Sequence, residues 1–237
     1  MVISPKKQFL IVFTVFFVLG SAFKVMVLIE GLTEIRPVNA IPPVAGLAFG
    51  PIGAVACGLG NLAADLLGSF DWTSVLGVVG NFVAAYLPYK LWHLFSSETP
   101  NLHSKRNILL FGSICLLSAF TVAWFLSFGL YTFFGLWIEQ IYTYVFFNNF
   151  GFSMLFGMPT LIILTSDSIS IVCRKPARNF VLGGERKKLK YLICGTYCLL
   201  MIGVFICVYF FHISPENTPG LMALSVLSFA ALLCQLI

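Results

Sequence analysis

Charge is what this chain has least of. Of 237 residues, 14 are Lys or Arg and 9 are Asp or Glu, so 10% carry charge while 59% are hydrophobic. A soluble domain cannot hide that much apolar surface, because its own exterior must be wet. Several chemistries are missing too. The three histidines, His93, His103 and His212, lie on different segments, and no HExxH occurs, which removes the helix-borne zinc site. No GxSxG sets a nucleophile beside a base. The stretch Gly183-Gly184-Glu185-Arg186-Lys187 lacks the spacing of a phosphate-cradling loop, so the chain brings no nucleotide hydrolysis of its own. The seven cysteines lie mostly within apolar runs and form no CxxC pair. Cys194 and Cys198 share a helix face, but two thiols are too few for a metal, and they read as small buried hydrophobes. No basic tail or aromatic-basic stripe points to nucleic acid. Carboxylates at membrane depth are too few for an aspartyl site or a proton relay. The chain is therefore expected not to be an enzyme, and to need no cofactor or metal. No inverted copy of the first half appears in the second, which counts against a self-sufficient transporter of two equivalent halves.

What is abundant is long apolar sequence. A membrane-spanning helix needs about 20 apolar residues, and runs of that size cover 8–29, 75–95, 107–130, 141–165, 189–211 and 220–237. A membrane β-barrel would show short alternating segments instead. The expected class is an all-α, polytopic membrane protein in the lipid bilayer of a cell membrane. Residues 1–22 also have the outline of a secretory signal: Lys6 and Lys7, an apolar run, then Gly20-Ser21-Ala22. The run continues past Lys24 to Ile29, so it is taken as a first membrane helix that is kept.

Between the first two runs stands EIRPVNAIPPVAGLAFGP, residues 34 to 51, followed by a small-residue stretch over 51–68. As a helix, the short prolyl segment 38–50 reaches roughly 20 Å, too little to face lipid across the whole core. Such a segment survives only when other helices wrap it. Pro42 and Pro43 fit near its start, where a missing N–H is harmless. Orientation follows from Lys and Arg. With the N-terminus cytoplasmic, and 38–50 and 51–68 each crossing once, there are about eight crossings. Lys6, Lys7, Lys105, Arg106 and the basic cluster from Arg174 to Lys190 then fall on one side, leaving Arg36 alone outside.

Polar side chains at membrane depth are costly, and they face a cavity or one another. Here they gather toward the outer end: Lys24, Glu30, Glu34, Arg36, Asn39, Asn61, Asp65, Asn81, Glu139, Gln140, Asn148 and Asn149. Asn61 and Asp65 are four apart, hence on one helix face, and Gly53 and Cys57 extend that face inward. Gly77, Gly80, Asn81, Ala84 and Pro88 form a second small-residue face, which leaves room beside an Asn. Each residue has a plainer use. Asn61 and Asn81 serve equally well to bond two helices together. Asp65 can pair with Arg36 or Lys24, and Lys24 can snorkel to the interface. Asp71 is placed as an N-cap. Trp72, Trp137, Tyr142 and Tyr144 fit an interfacial aromatic belt, with Tyr89, Lys90, Trp92 and His93 as anchors at the inner end. The 174–190 loop is a topology signal that could also meet anionic lipid or a partner.

The run EIRPVNAIPPVAGLAFGPIGAVACGLGNLAADLLG, followed by GNFVAAYLPYKLW, resembles the substrate-binding S components of bacterial energy-coupling factor (ECF) transporters over roughly residues 8 to 165. The shared features are Gly46-Leu47-Ala48-Phe49-Gly50-Pro51 and Gly60-Asn61 with Asp65. The resemblance implies a six-helix unit over 1–166 that binds a vitamin-like small molecule near the outer face. It also implies a transmembrane coupling protein and cytoplasmic ATPases as partners. The first outer loop would lid the substrate, giving Glu34, Arg36 and Asn39 their role, and Asn61, Asp65, Asn81 and Asn149 would line the pocket. Residues 167–237, a basic cytoplasmic loop plus an additional helix pair, exceed the six. A reading from another class is a membrane-embedded sensor module of a bacterial signalling system.

Overall fold

In apolar surroundings backbone N–H and C=O groups must pair within their own segment, which makes the helix the default for each apolar run. The computed structural model describes residues 4–24, 26–29, 33–68, 70–167, 169 and 184–236, with backbone alone at 27–29, 33–34, 184–187, 221 and 232–236. Within these, α1 spans Pro5–Ala22, α2 Ile41–Phe49, α3 Pro51–Leu66, α4 Ser74–Phe95, α5 Lys105–Phe134, α6 Glu139–Phe152, α7 Met158–Leu164, α8 Gly184–Phe211 and α9 Pro219–Leu236. A 3-10 turn, Pro37–Ala40, leads into α2, and a π turn, Ser153–Gly157, joins α6 to α7. The architecture is all-helical apart from one short antiparallel hairpin, β1 (Val27–Ile29) with β2 (Thr33–Glu34).

Among the described residues four segments are long and apolar enough to cross a membrane: Pro5–Ala22, Lys105–Phe134, Glu139–Leu164 and Lys188–Phe211. Pro37–Phe49 and Pro51–Leu66 are apolar but shorter. The expected first span, 8–29, needs correction. Helix α1 stops at Ala22, where the Phe23 N–H closes onto Leu19 O, and residues 27–29 leave as a strand. Hydropathy sees an unbroken run there. The break comes from Lys24, whose ammonium turns to Asp65 on α3, and from the chain's need to double back into α2.

Helix α3 packs on α1 at one side and α4 at the other; α4 continues to α5, and α5 to α6. Helix α8 lies against α5 and α6, and α9 against α8. Helix α2 is threaded inside, against both α3 and α4, with eight of its nine residues buried. That insertion depends on a missing side chain. A Cβ at Gly46 would stand 1.8 Å from Ala85 O on α4. At the far end of α2 the chain reverses through Gly50 at φ 62, and Pro51 opens α3 without needing an N–H.

One end of the bundle gathers the hairpin, the end of α3 and the starts of α4 and α6, tied by Lys24–Asp65, Arg36–Asn61 and, at its rim, His212–Glu139. The opposite end carries Lys6, Lys7, Lys105 and Arg106, all exposed. Trp72 is 77% exposed, as a belt residue should be, but two other ring assignments are corrected. Trp92 and Tyr142 are fully buried. The Trp92 indole N–H donates to Glu98 O, and Tyr142 packs near Phe205 of α8. Large rings bury a great deal of apolar area when packed among helices. Asp71 does not cap α4; its carboxylate accepts the Thr73 N–H in the turn before the helix.

Candidate binding site

The polar residues named from the sequence divide between two neighbouring places. At the hairpin end Arg36 points inward from the segment that follows β2. Its Nη2 donates to Asn61 Oδ1 at 2.8 Å, and its backbone N–H donates to Asn148 Oδ1 at 3.3 Å. Asn61, with no exposed surface, donates through Nδ2 to Asp65 Oδ2 at 2.9 Å. Lys24 Nζ lies 3.4 Å from Asp65 Oδ1. The result is a chain of four side chains, Arg36–Asn61–Asp65–Lys24, that stitches the hairpin's two flanks onto α3. Buried charges persist when paired and hydrogen-bonded, and each link here joins a donor to an acceptor. Helix α4 makes room for it: a Cβ at Gly77 would stand 2.9 Å from Asn61 Nδ2.

Deeper along the same segment, the chain descends beside α6. Ser153 Oγ lies 3.5 Å from Asn39 O, and a Cβ at Gly157 would stand 3.0 Å from Ala40 O. Next to this line of contact is a small hollow of about 10 Å³ between α2, α4, α5, α6 and the π turn. Its lining includes Pro43, Ala84, Cys115, Ser118, Asn149 and Ser153. Only a water-sized guest fits without movement of the walls.

The structure therefore brings Arg36, Asn61 and Asp65 together and places Asn149 at the hollow. Asn39 is buried, with its carbonyl facing Ser153. Asn81 stands apart from both, giving its amide to Gly77 O on its own helix at 2.9 Å. The side chains of Glu34 and Glu30 lie outside the described residues, as does the basic stretch 170–183. Sequence reasoning placed Asn148 in the outer polar group without assigning it to the site, counted Cys115 among the small buried hydrophobes, and did not single out Ser118 or Ser153. Asn148 was visible as a polar neighbour of Asn149. Ser and Cys are so common in apolar helices that their position alone carries no signal.

Chemically, the latch offers paired charge and the hollow offers neutral hydrogen-bonding groups. Among the described residues no three His, Cys, Asp or Glu come together as a metal site. Comparison with models of known protein families, with curated proteins and with solved structures returned no match, so the functional reading rests on this geometry.

Proposed function

We propose that this chain is the substrate-capture subunit of a micronutrient importer, akin to the S components of ECF transporters. It would take a small polar molecule from the outer face of a cell membrane and pass it inward. The observation that carries the reading is Arg36. A cation just past the hairpin reaches 2.8 Å to an amide with no exposed surface, which supports reading the hairpin as a latched lid over the bundle's end. Beneath it runs α2, a buried helix too short to span alone. The basic residues Lys6, Lys7, Lys105 and Arg106 lie at the other end, consistent with a cytoplasmic N-terminus and about eight crossings.

In this reading the lid opens by exchanging internal hydrogen bonds for bonds to the guest. A vitamin-sized ligand needs roughly 300 Å³ or more, so it enters as the hairpin and the α2 root swing outward from α6. Its departure is driven by a partner. A transmembrane coupling protein with cytoplasmic ATPases supplies the work, because a ligand shifts a conformational equilibrium only by its differential affinity for the two states. Residues 1–166 would form the capture unit, and α8–α9 a buttress on α5 and α6.

The test is gentle purification followed by native mass spectrometry for a co-purifying small molecule. Arg36→Ala and Asn61→Ala should each lower affinity for that molecule by about tenfold or more, the worth of a charge-assisted hydrogen bond, while the protein stays folded. Unchanged affinity in both variants removes the latch from the site. A pull-down that returns a signalling kinase or cyclase, and no coupling protein, favours the sensor class instead.

A further inference from the structure

We propose that the hollow beside the π turn is the inner end of the binding site, and that it receives an uncharged donor–acceptor group of the captured molecule, such as a carboxamide or lactam edge. This rests on the capture reading above and adds to it the chemistry of the group recognised.

Three side chains carry the inference. Ser118, on α5, is 5% exposed and makes no hydrogen bond among the described residues. Ser127 on the same helix is likewise without a partner, but away from the hollow. A serine or threonine within a helix ordinarily bonds back to the carbonyl four residues earlier, and on α5 Ser113 does so to Leu109 O and Thr121 to Leu117 O. Ser118 instead faces the hollow with its hydroxyl unused. Asn149 spends one amide N–H on Val145 O, and its Oδ1 accepts no bond among the described residues. Ser153 bonds the neighbouring Cys115 thiol and holds Asn39 O at 3.5 Å, the outer limit of a hydrogen bond, so the second contact is easily exchanged. A hydroxyl without a partner in the interior is costly, and Ser118, beside the spare acceptor of Asn149, marks a place with room for one.

The class of that partner follows from charge. None of the lining residues carries a charge at neutral pH. An ion moved into a buried, uncharged site loses its hydration without a countercharge. The group that enters is therefore neutral. It must also offer both a donor and an acceptor, since two hydroxyls and an amide present both. Pro43 and Ala84 supply an apolar wall opposite the polar one. A π turn at this spot fits as well, because such turns recur where a helix is bent to serve a site. Any charged part of the same molecule would face the latch of Arg36, Asp65 and Lys24.

The experiment uses matched pairs that differ only in charge: nicotinamide against nicotinate, and benzamide against benzoate. Binding to the purified full chain is read by thermal shift and by calorimetry. The amides should bind at least tenfold tighter than the acids. Ser118→Ala should weaken amide binding by about two- to tenfold, the range of one hydrogen bond, and Ser118→Leu, which fills the space, should abolish it. Acids binding as well as amides, or amides binding Ser118→Leu as they bind the wild type, overturn the proposal. So does the absence of any amide binding, which leaves a structural water site only. The two readings fail separately. A co-purified molecule that Arg36→Ala releases and Ser118→Leu retains leaves capture standing and removes this subsite. A chain that retains no molecule and binds no amide loses both.

Discussion

Replacing Gly46 by alanine tests the threading of α2, on which both the lid and the hollow depend. A methyl group at Gly46 would sit 1.8 Å from Ala85 O, 2.7 Å from its carbonyl carbon and 3.2 Å from its Cα. Ordinary contact begins near 3.4 Å, so relief requires about 1.6 Å of separation between α2 and α4, the difference of those two distances. The obstruction is backbone, which cannot swing aside as the tip of a side chain can. Nor can α2 retreat, because its other side is clamped by α3: a Cβ at Gly53 would meet Ala45 O at 2.2 Å. Overpacking of a core costs about 1–3 kcal/mol, and a helix held on both sides belongs at the top of that range. For a chain of this size each kcal/mol moves the melting temperature by roughly 2–4 °C, so Gly46→Ala should lower it by roughly 6–12 °C. The control is Gly203→Ala on α8, where nothing lies within 4 Å of the added carbon. There the better helix propensity of alanine, about 1 kcal/mol, should leave stability level or slightly raised. Melting in detergent is followed by fluorescence of the tryptophans, of which Trp92 and Trp124 are buried, with size-exclusion profiles as a check on folding. A Gly46→Ala protein that melts with the Gly203→Ala protein would show that α2 does not pass between α3 and α4 as described.

Two further outcomes follow from the contacts of α9 and from the proposed orientation. Trp124 Nε1 donates to Ser225 Oγ at 2.8 Å, joining α5 to α9 inside the bundle. Ser225→Ala and Trp124→Phe should each destabilise, Ser225→Ala by about 1 kcal/mol, and the double variant by clearly less than their sum; strict additivity in that double-mutant cycle would deny the bond. For orientation, cysteines introduced at His103 and Glu216, both exposed and separated by α5, the α6–α7 segment and α8, should lie on opposite sides of the membrane. A membrane-impermeant maleimide on intact cells should label Glu216→Cys above the native background and spare His103→Cys. Labelling of both would break the crossing count, and the reverse pattern would invert the chain.

Much of the fold was legible because its causes are local. Run length and the near absence of charge mark the spans at α5, α6–α7 and α8, and Pro42, Pro43 and Gly50 mark a short helix with a sharp end. The missed feature is the hairpin. Residues 25–29 are as apolar as the helix before them, and nothing local tells helix from strand there. The strand goes with tertiary contacts, among them one from Lys24 to a residue 41 positions away. The same limit applies to α2. Its glycine and prolines announce close packing, but that Gly46 faces Ala85 is a property of the tertiary arrangement.

The site was legible in proportion to how rare its residues are. In a chain with so few charges, Lys24, Arg36 and Asp65 have few possible partners, and the structure joins Arg36 to Asp65 through Asn61 and Lys24 to Asp65 directly. Spacing alone left open whether Asp65 pairs with Arg36 or Lys24; the answer is Lys24 directly and Arg36 through the Asn61 amide. The hollow was invisible for the opposite reason. Its polar wall is made of Ser118 and Ser153 beside Asn149, and serine in an apolar helix ordinarily satisfies itself on the preceding turn. Ser118 becomes informative only when a structure shows that it does not. On the capture reading proposed above, two kinds of recognition would sit along one descending segment, residues 36 to 43. The charged one, at Arg36, would hold the lid, and the neutral one, at Pro43 and Ser118, would have an unused bond to offer. A latch saturated with its own partners and a hollow with spare hydrogen-bonding capacity is the arrangement expected when closure is governed at one place and identity is read at the other.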